Sequence, residues 1–323
     1  MDNITHSLAG ALLGQMGLKR TSRFAMAACI LGANSPDIDV FAPLLFDVDN
    51  IAFHRGPTHA LWAPPLLAAA IVGLLWLLDR LWRRPGAAPF RAGPLFLAAL
   101  LASFSHPFLD WLTTYAVNLF VPFDRGWYSA NAIFIVDWVY WLLLIGGIWL
   151  TARRDRRGQE RPERPAMIAG LLLLAYIGAN MTLSAVAEQR TAQALRARGV
   201  EPSLIVASPP PLAFWNRTMA WRSARTWGSG SYRLFGGLTL GEQALPLNLG
   251  DPRLRERIAA DRGVRSFLYW SRMPVVVRGE DGGSYLTDQR YHRAFDDPGV
   301  PAVIRRRAPR GSFSVPLDPP SRL

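Results

Sequence analysis

Residues 60–78, 92–109, 138–152 and 165–187 of this 323-residue chain form long apolar runs without Asp, Glu, Lys or Arg, and with His106 as their one histidine. Crossing about 30 Å of hydrocarbon takes about 20 such residues. Backbone polar groups in lipid must be satisfied within the crossing segment, so the runs are expected to be helices. With half of its residues hydrophobic, the chain reads as mainly α: a polytopic transmembrane helical bundle with four spans over residues 1–190. Two shorter apolar segments precede them, residues 4–18 and 24–36, the first interrupted by Gly10, Gly14 and Gly17. They form either a helical hairpin of short spans or a re-entrant pair packed on the other helices. Gly10 and Gly14 permit a close helix contact, although ordinary packing explains that spacing equally well. Asp2 stands where a cleavable signal peptide carries basic residues, so none is expected.

Arginine placement sets the orientation. Arg80, Arg83, Arg84 and Arg91 crowd one loop and six arginines fill residues 153–164, whereas the loop between them holds only Arg125. Loops rich in Lys and Arg stay in the cytoplasm. Lys19, Arg20 and Arg23 mark a third cytoplasmic turn if the first two segments are a hairpin. Alternation then gives six membrane segments with both ends outside.

Four short groups interrupt this apolar background: His6; Asp37 and Asp39 after Ser35-Pro36; His54 and His59 around Arg55-Gly56-Pro57-Thr58; and His106 with Asp110. The topology puts all four at the outer face. Imidazoles and carboxylates are the ligands divalent metals take from proteins, and ionisable groups near lipid are costly unless neutralised. His106 and Asp110, four apart, share one helix face, with Pro107 between them expected to kink or restart the helix. Asp37 and Asp39 are expected in an extended turn that aims both the same way. Gly56-Pro57 breaks any helix between His54 and His59, placing them on a loop and on the first turn of the next helix. Asp137, an eighth candidate, serves the same site or pairs with Arg125.

These four motifs together resemble the bacterial YdjM/YbcI family of membrane-bound, predicted metal-dependent hydrolases, over roughly residues 1–190. The resemblance implies an inner-membrane protein with a divalent metal centre built from those histidines and aspartates. It also implies a distant similarity to zinc-dependent phospholipase C and P1 nuclease, α-helical phosphoesterases that use a HxxxD pair.

Seven or eight donors exceed one zinc site, so one to three ions, zinc being the expected metal, are read here. Such ions lower the pKa of water from about 15.7 toward 7 and polarise phosphoryl or acyl oxygens. Arg55 either binds a phosphate oxygen or anchors at the interface. Asp37 or Asp39 serves as general base or as ligand. Two functions remain open: hydrolysis of a lipid-linked or amphiphilic ester, phosphoester favoured, or a non-catalytic membrane protein with a structural metal and a basic domain that binds anionic lipid or envelope partners. A closed ligand set marks the structural case and an open position the catalytic one.

Residues 191–323 lack any membrane-length apolar run and carry most of the formal charge of +12. They are expected to form a small soluble α+β domain outside the cytoplasm, attracted to anionic headgroups or a phosphorylated substrate. Strands are expected over 231–240, 266–278 and 284–291, with a turn at 280–283, and a helix over 252–262 closed by Gly263. Trp215, Trp221 and Trp227 alternate with Arg217, Arg222 and Arg225. Nucleic-acid binding is the weaker reading of that pattern, since core or interfacial tryptophans are commoner. Membrane lipids and a phosphorylated or lipid-linked substrate are the expected partners. His292 is expected at the surface, and the single cysteine, Cys29, allows no intramolecular disulfide.

Overall fold

The computed structural model describes residues 1–83, 85–279, 282–292 and 313–318. It divides into two compact units, Met1–Ala130 with Ile135–Gly178, and Asn131–Phe134 with Ala179–Leu323.

The first unit is helical. Its elements are α1 (Asn3–Gln15), α2 (Ala25–Asn34), a 3-10 helix over Ser35–Phe41, α3 (Ala42–Leu45), α4 (Asn50–Phe53), a 3-10 turn at Pro57–His59, α5 (Ala63–Trp82), α6 (Ala92–Trp111), α7 (Trp138–Arg156) and the start of α8 (Arg164–Ala197). Three of these, α5, α6 and α8, are long and apolar enough to cross a membrane. The fourth expected span, α7, ends in a turn carrying Arg153, Arg154, Asp155 and Arg156, which leaves only fifteen charge-free residues. At 1.5 Å per residue α1 and α2 are about 20 and 15 Å long. Each is shorter than the hydrocarbon layer.

Small side chains set how α1, α2 and α6 pack. A Cβ on Gly10 would sit 2.5 Å from the Cys29 carbonyl oxygen, and Gly14 faces Met26, so α1 and α2 run antiparallel in backbone contact. On the other side of α2, a Cβ on Gly32 would sit 2.6 Å from the Ala99 carbonyl oxygen of α6. Cys29 and Ala33 pack there against Ala98 and Ala102. Residues this small let backbones approach closely. The approach brings the last turn of α2 against the part of α6 that carries His106, and α6 continues through Pro107 to Trp111.

Among the described residues, the second unit contains two antiparallel sheets. One is ordered β1 (Leu204–Ser208), β2 (Asn216–Arg222), β3 (Thr226–Arg233), β4 (Gly237–Leu240), with β5 (Leu245–Pro246) also on β3. The helices α9 (Pro252–Ala260) and α10 (Arg262–Trp270) follow. The other sheet is β6 (Pro274–Arg278), β7 (Ser284–Asp288), β8 (Ser314–Pro316), with α11 (Gln289–His292) after β7.

Several expectations change here. The strand expected over 231–240 is a hairpin, β3 turning into β4 at Gly237 with φ 75°. Residues 266–270 are helical because Val264, Phe267 and Trp270 recur every three residues and bury one face of α10. Gly263 lies inside α10 rather than closing α9. The hairpin expected around 280–283 is present as β6 paired with β7, Val276 opposite Leu286, although Glu280 and Asp281 lie outside the described residues. Trp221 and Trp227 are buried, as is Arg217, and His292 packs edge-on against Trp227. Trp215 is exposed.

Candidate metal centre

Four elements of the helical unit deliver the donors: the 3-10 helix after α2 carries Asp37 and Asp39, the loop after α4 carries His54, the 3-10 turn at Pro57–His59 ends in His59, and α6 presents His106 and Asp110. Pro36 opens the first of these segments as a 3-10 helix rather than an extended turn. Successive residues of a 3-10 helix are a third of a turn apart. Asp37 and Asp39 therefore point different ways, and they flank opposite nitrogens of one imidazole: Asp37 Oδ1 is 3.5 Å from His59 Nε2, and Asp39 Oδ2 is 3.3 Å from His59 Nδ1.

Asp37, His59, His106 and Asp110 form one compact group. The Nε2 atoms of His59 and His106 face each other at 3.1 Å. Asp37 Oδ1 is 3.2 Å from His106 Nε2, and Asp110 Oδ2 is 3.3 and 3.5 Å from the two imidazoles. Donors about 2.0–2.1 Å from a tetrahedral zinc stand about 3.3–3.4 Å from one another. The five separations scatter around that value. The Asp37–Asp110 separation is the looser one, within 4.8 Å.

Protonation makes the same point. His106 Nδ1 lies 2.6 Å from the Ala33 carbonyl oxygen, which can only accept, so Nδ1 carries the proton. His59 Nδ1 faces the Asp39 carboxylate. Fixing one nitrogen this way leaves the other as a lone pair, the arrangement that orients metal-ligating histidines. Two lone pairs and two carboxylate oxygens then converge with no proton to share among them. A cation resolves this.

Asp39 stands behind that group. Its carboxylate accepts from Arg55 N at 3.0 Å, Thr58 Oγ1 at 2.9 Å and His54 Nδ1 at 2.9 Å. Burial raises its pKa, but the bonds from His54 and His59 outweigh burial and hold it below the usual carboxylate range. Asp37, Asp39 and His54 also form a second possible ligand group.

His6 stacks on the His106 ring, centroids 3.6 Å apart, fully buried and with neither ring nitrogen hydrogen-bonded. Its Nε2 is 3.5 Å from Asp110 Oδ1, the oxygen turned away from His59 and His106. Arg55 is buried with φ 63°. Its guanidinium reaches Asp110 Oδ1 at 3.0 Å and Thr113 Oγ1 at 3.1 Å and lies over the Tyr115 ring. The Met1 amino group also pairs with Asp110. Asp137 belongs to neither group: it caps α7, accepting from Tyr140 N at 2.9 Å and Tyr176 Oη at 2.8 Å. The supporting residues Thr58, Thr113 and the Ala33 carbonyl were not singled out from sequence. Thr58 was the findable one, set directly before His59 in the third motif.

The chain belongs to the family described as YdjM inner membrane protein, which it matches over residues 1–187. It is also 28% identical over 145 residues to the uncharacterized protein YfhP of Bacillus subtilis (strain 168), a match covering 42% of this chain and 42% of that protein. No solved structure matches it.

Proposed function

We propose that this YdjM family member is a membrane-bound metal-dependent hydrolase, acting on a phosphoester of a lipid-linked or amphiphilic substrate at the outer face of the bacterial inner membrane. The convergence of the buried His59, His106 and Asp110 with the half-buried Asp37 supports the metal, and Arg55 at 3.0 Å from Asp110 supports the phosphoester. Asp37, His59, His106 and Asp110 would hold one divalent ion, zinc being the best match to two imidazoles and two carboxylates. His6, with neither ring nitrogen hydrogen-bonded, offers a donor to a second. When bound, such an ion supplies Lewis acidity toward a phosphoryl oxygen and makes water more acidic.

The chain's own groups do the rest. Asp39 holds the His59 ring with its lone pair toward the cluster. Arg55, fixed by Thr113 and Tyr115, presents a fixed cation beside Asp110, where it can share a phosphate oxygen. Asp37, less buried than Asp39 and Asp110, would serve either as the fourth ligand or, released from the ion, as the carboxylate that accepts a proton from an attacking water. The six-segment topology and the extracytoplasmic basic domain are part of this proposal.

A structural ion is the second reading, favoured by the four protein donors, enough to close a zinc site. Metal analysis of detergent-purified protein, followed by turnover of lipid phosphates and phosphodiesters, separates the two. The hydrolase reading expects metal and turnover together, both lost in His106→Ala. Stoichiometric metal with no turnover on any substrate favours the structural ion.

A further inference from the structure

We propose that an apolar groove in the helical unit holds the single hydrocarbon tail of an alkyl or prenyl phosphate, with the phosphate head at the metal cluster. The identity of the head group rests on the hydrolase reading above.

The groove has a volume of about 430 Å³ and runs between α1, α6, α7 and α8. Its walls are leucine, alanine, methionine, isoleucine, phenylalanine and glycine apart from Ser105 and Tyr140, and Ser105 Oγ is already bonded to the Ala102 carbonyl. Along α1 it extends from Ala9 to Met16, and along α8 from Met167 to Ile177. Those stretches are about 10 and 15 Å of helix.

Its two ends differ. At one, Ala9 is a turn beyond His6, and Ser105 and Leu109 directly precede His106 and Asp110. Tyr140 precedes Trp141, whose Nε1 donates to Thr5 Oγ1 at 2.7 Å, beside His6. This end is therefore lined by neighbours in sequence of the metal donors His6, His106 and Asp110, although none of those donors lines the groove itself. At the other, Met16 lies against Gly170.

The surroundings select the occupant. The groove is walled by α6 and α8, both of membrane-crossing length and composition, and its rim residues Leu171 and Leu174 are 67% and 60% exposed. A space with so few polar partners does not retain water and fills with hydrocarbon. An ordinary membrane tail gains nothing from exchanging lipid for groove, since both are apolar. A tail joined to a phosphate gains the cluster near the donor-flanked end. That difference singles out the substrate's chain from bulk lipid.

The test uses full-length protein in nanodiscs with dodecyl phosphate bearing a terminal diazirine, photolysed and mapped by peptide mass spectrometry, with the matching dodecanol probe as control. Labelling concentrated at Leu12 and Leu173 is expected, competed away by unlabelled dodecyl phosphate and lost in Gly170→Phe. Lipid-facing Leu66 and Leu81 of α5 should be labelled by both probes without competition. Equal labelling of the groove by dodecanol, or no competition, overturns the proposal. If Gly170→Phe loses its metal and so has not folded, the wild-type competition decides alone. Labelling needs no turnover: groove labelling without hydrolysis keeps this inference and removes the hydrolase, whereas hydrolysis with labelling confined to α5 does the reverse.

Discussion

Both units bury charged side chains, and they neutralise them differently. In the sheet-bearing unit Arg217 is fully buried and donates to Ser184 Oγ, to the Phe214, Asn216 and Asn180 carbonyls and to Asn180 Oδ1. Asp288 is matched by Arg290 at 2.8 Å and by Ser271 at 2.6 Å. The gaps in this unit are neutral groups such as Trp221 Nε1 and Gln289 Oε1, and Arg257 Nε, whose guanidinium is still matched by Asp261 at 2.6 Å. In the helical unit His6 has no hydrogen bond at either nitrogen, Asp110 Oδ2 has none, and two imidazole lone pairs face each other. A buried polar group without a partner costs about 1–3 kcal/mol, more when charged. A unit that satisfies its buried charges internally is built for stability; one that leaves several donor atoms converging is built for a ligand.

The largest effect that tests this contrast is on metal content. His106→Ala and Asp110→Asn should each reduce bound metal from stoichiometric to background by inductively coupled plasma mass spectrometry. Arg217→Met should leave metal unchanged and cost about 3 kcal/mol in the denaturation of the sheet-bearing unit, because five acceptors lose their donor. If both kinds of substitution act on stability alone, the two interiors are not different in kind. Next in size, Asp39→Asn should weaken metal binding about 10–100-fold while retaining the fold, as removal of a residue supporting a ligand does.

How far these differences could be read from the chain depends on the scale of the signal. Spacing along α6 was enough to place His106 and Asp110 on one face. The gathering of His6, Asp37, His59 and the α6 pair was legible because each sits in a short polar break beside an apolar run. The roles within the set were not, because they turn on local backbone geometry. A 3-10 helix after Pro36 sends Asp39 behind His59, where an extended turn would have aligned it with Asp37. Asp137 looked like a ligand because a lone carboxylate beside an apolar run is costly, yet α7's own amides and the Tyr176 hydroxyl satisfy it. In the second unit residues 266–278 read as one strand, whereas the three-residue recurrence of Val264, Phe267 and Trp270 carries a helix as far as Trp270.

Two smaller effects sharpen the comparison. Asp137→Asn should cost about 1 kcal/mol through the weakened α7 cap and leave metal content untouched; a loss of metal would place it in the site. Metal retention should also fall in acid, because bound imidazoles must be neutral. Protons compete for the same ring nitrogens, so retained metal should decrease as the pH is lowered. Titrating retained metal against pH in wild type checks this, and the stability of the sheet-bearing unit should show no matching step.

The most direct test is X-ray absorption at the zinc edge on purified protein reloaded with one equivalent of zinc after chelation. The account predicts a first shell of nitrogen and oxygen at about 2.0–2.1 Å with the outer-shell scattering of two imidazoles, reduced to one in His59→Ala. Failure to rebind zinc, or a shell without imidazole scattering, would contradict it.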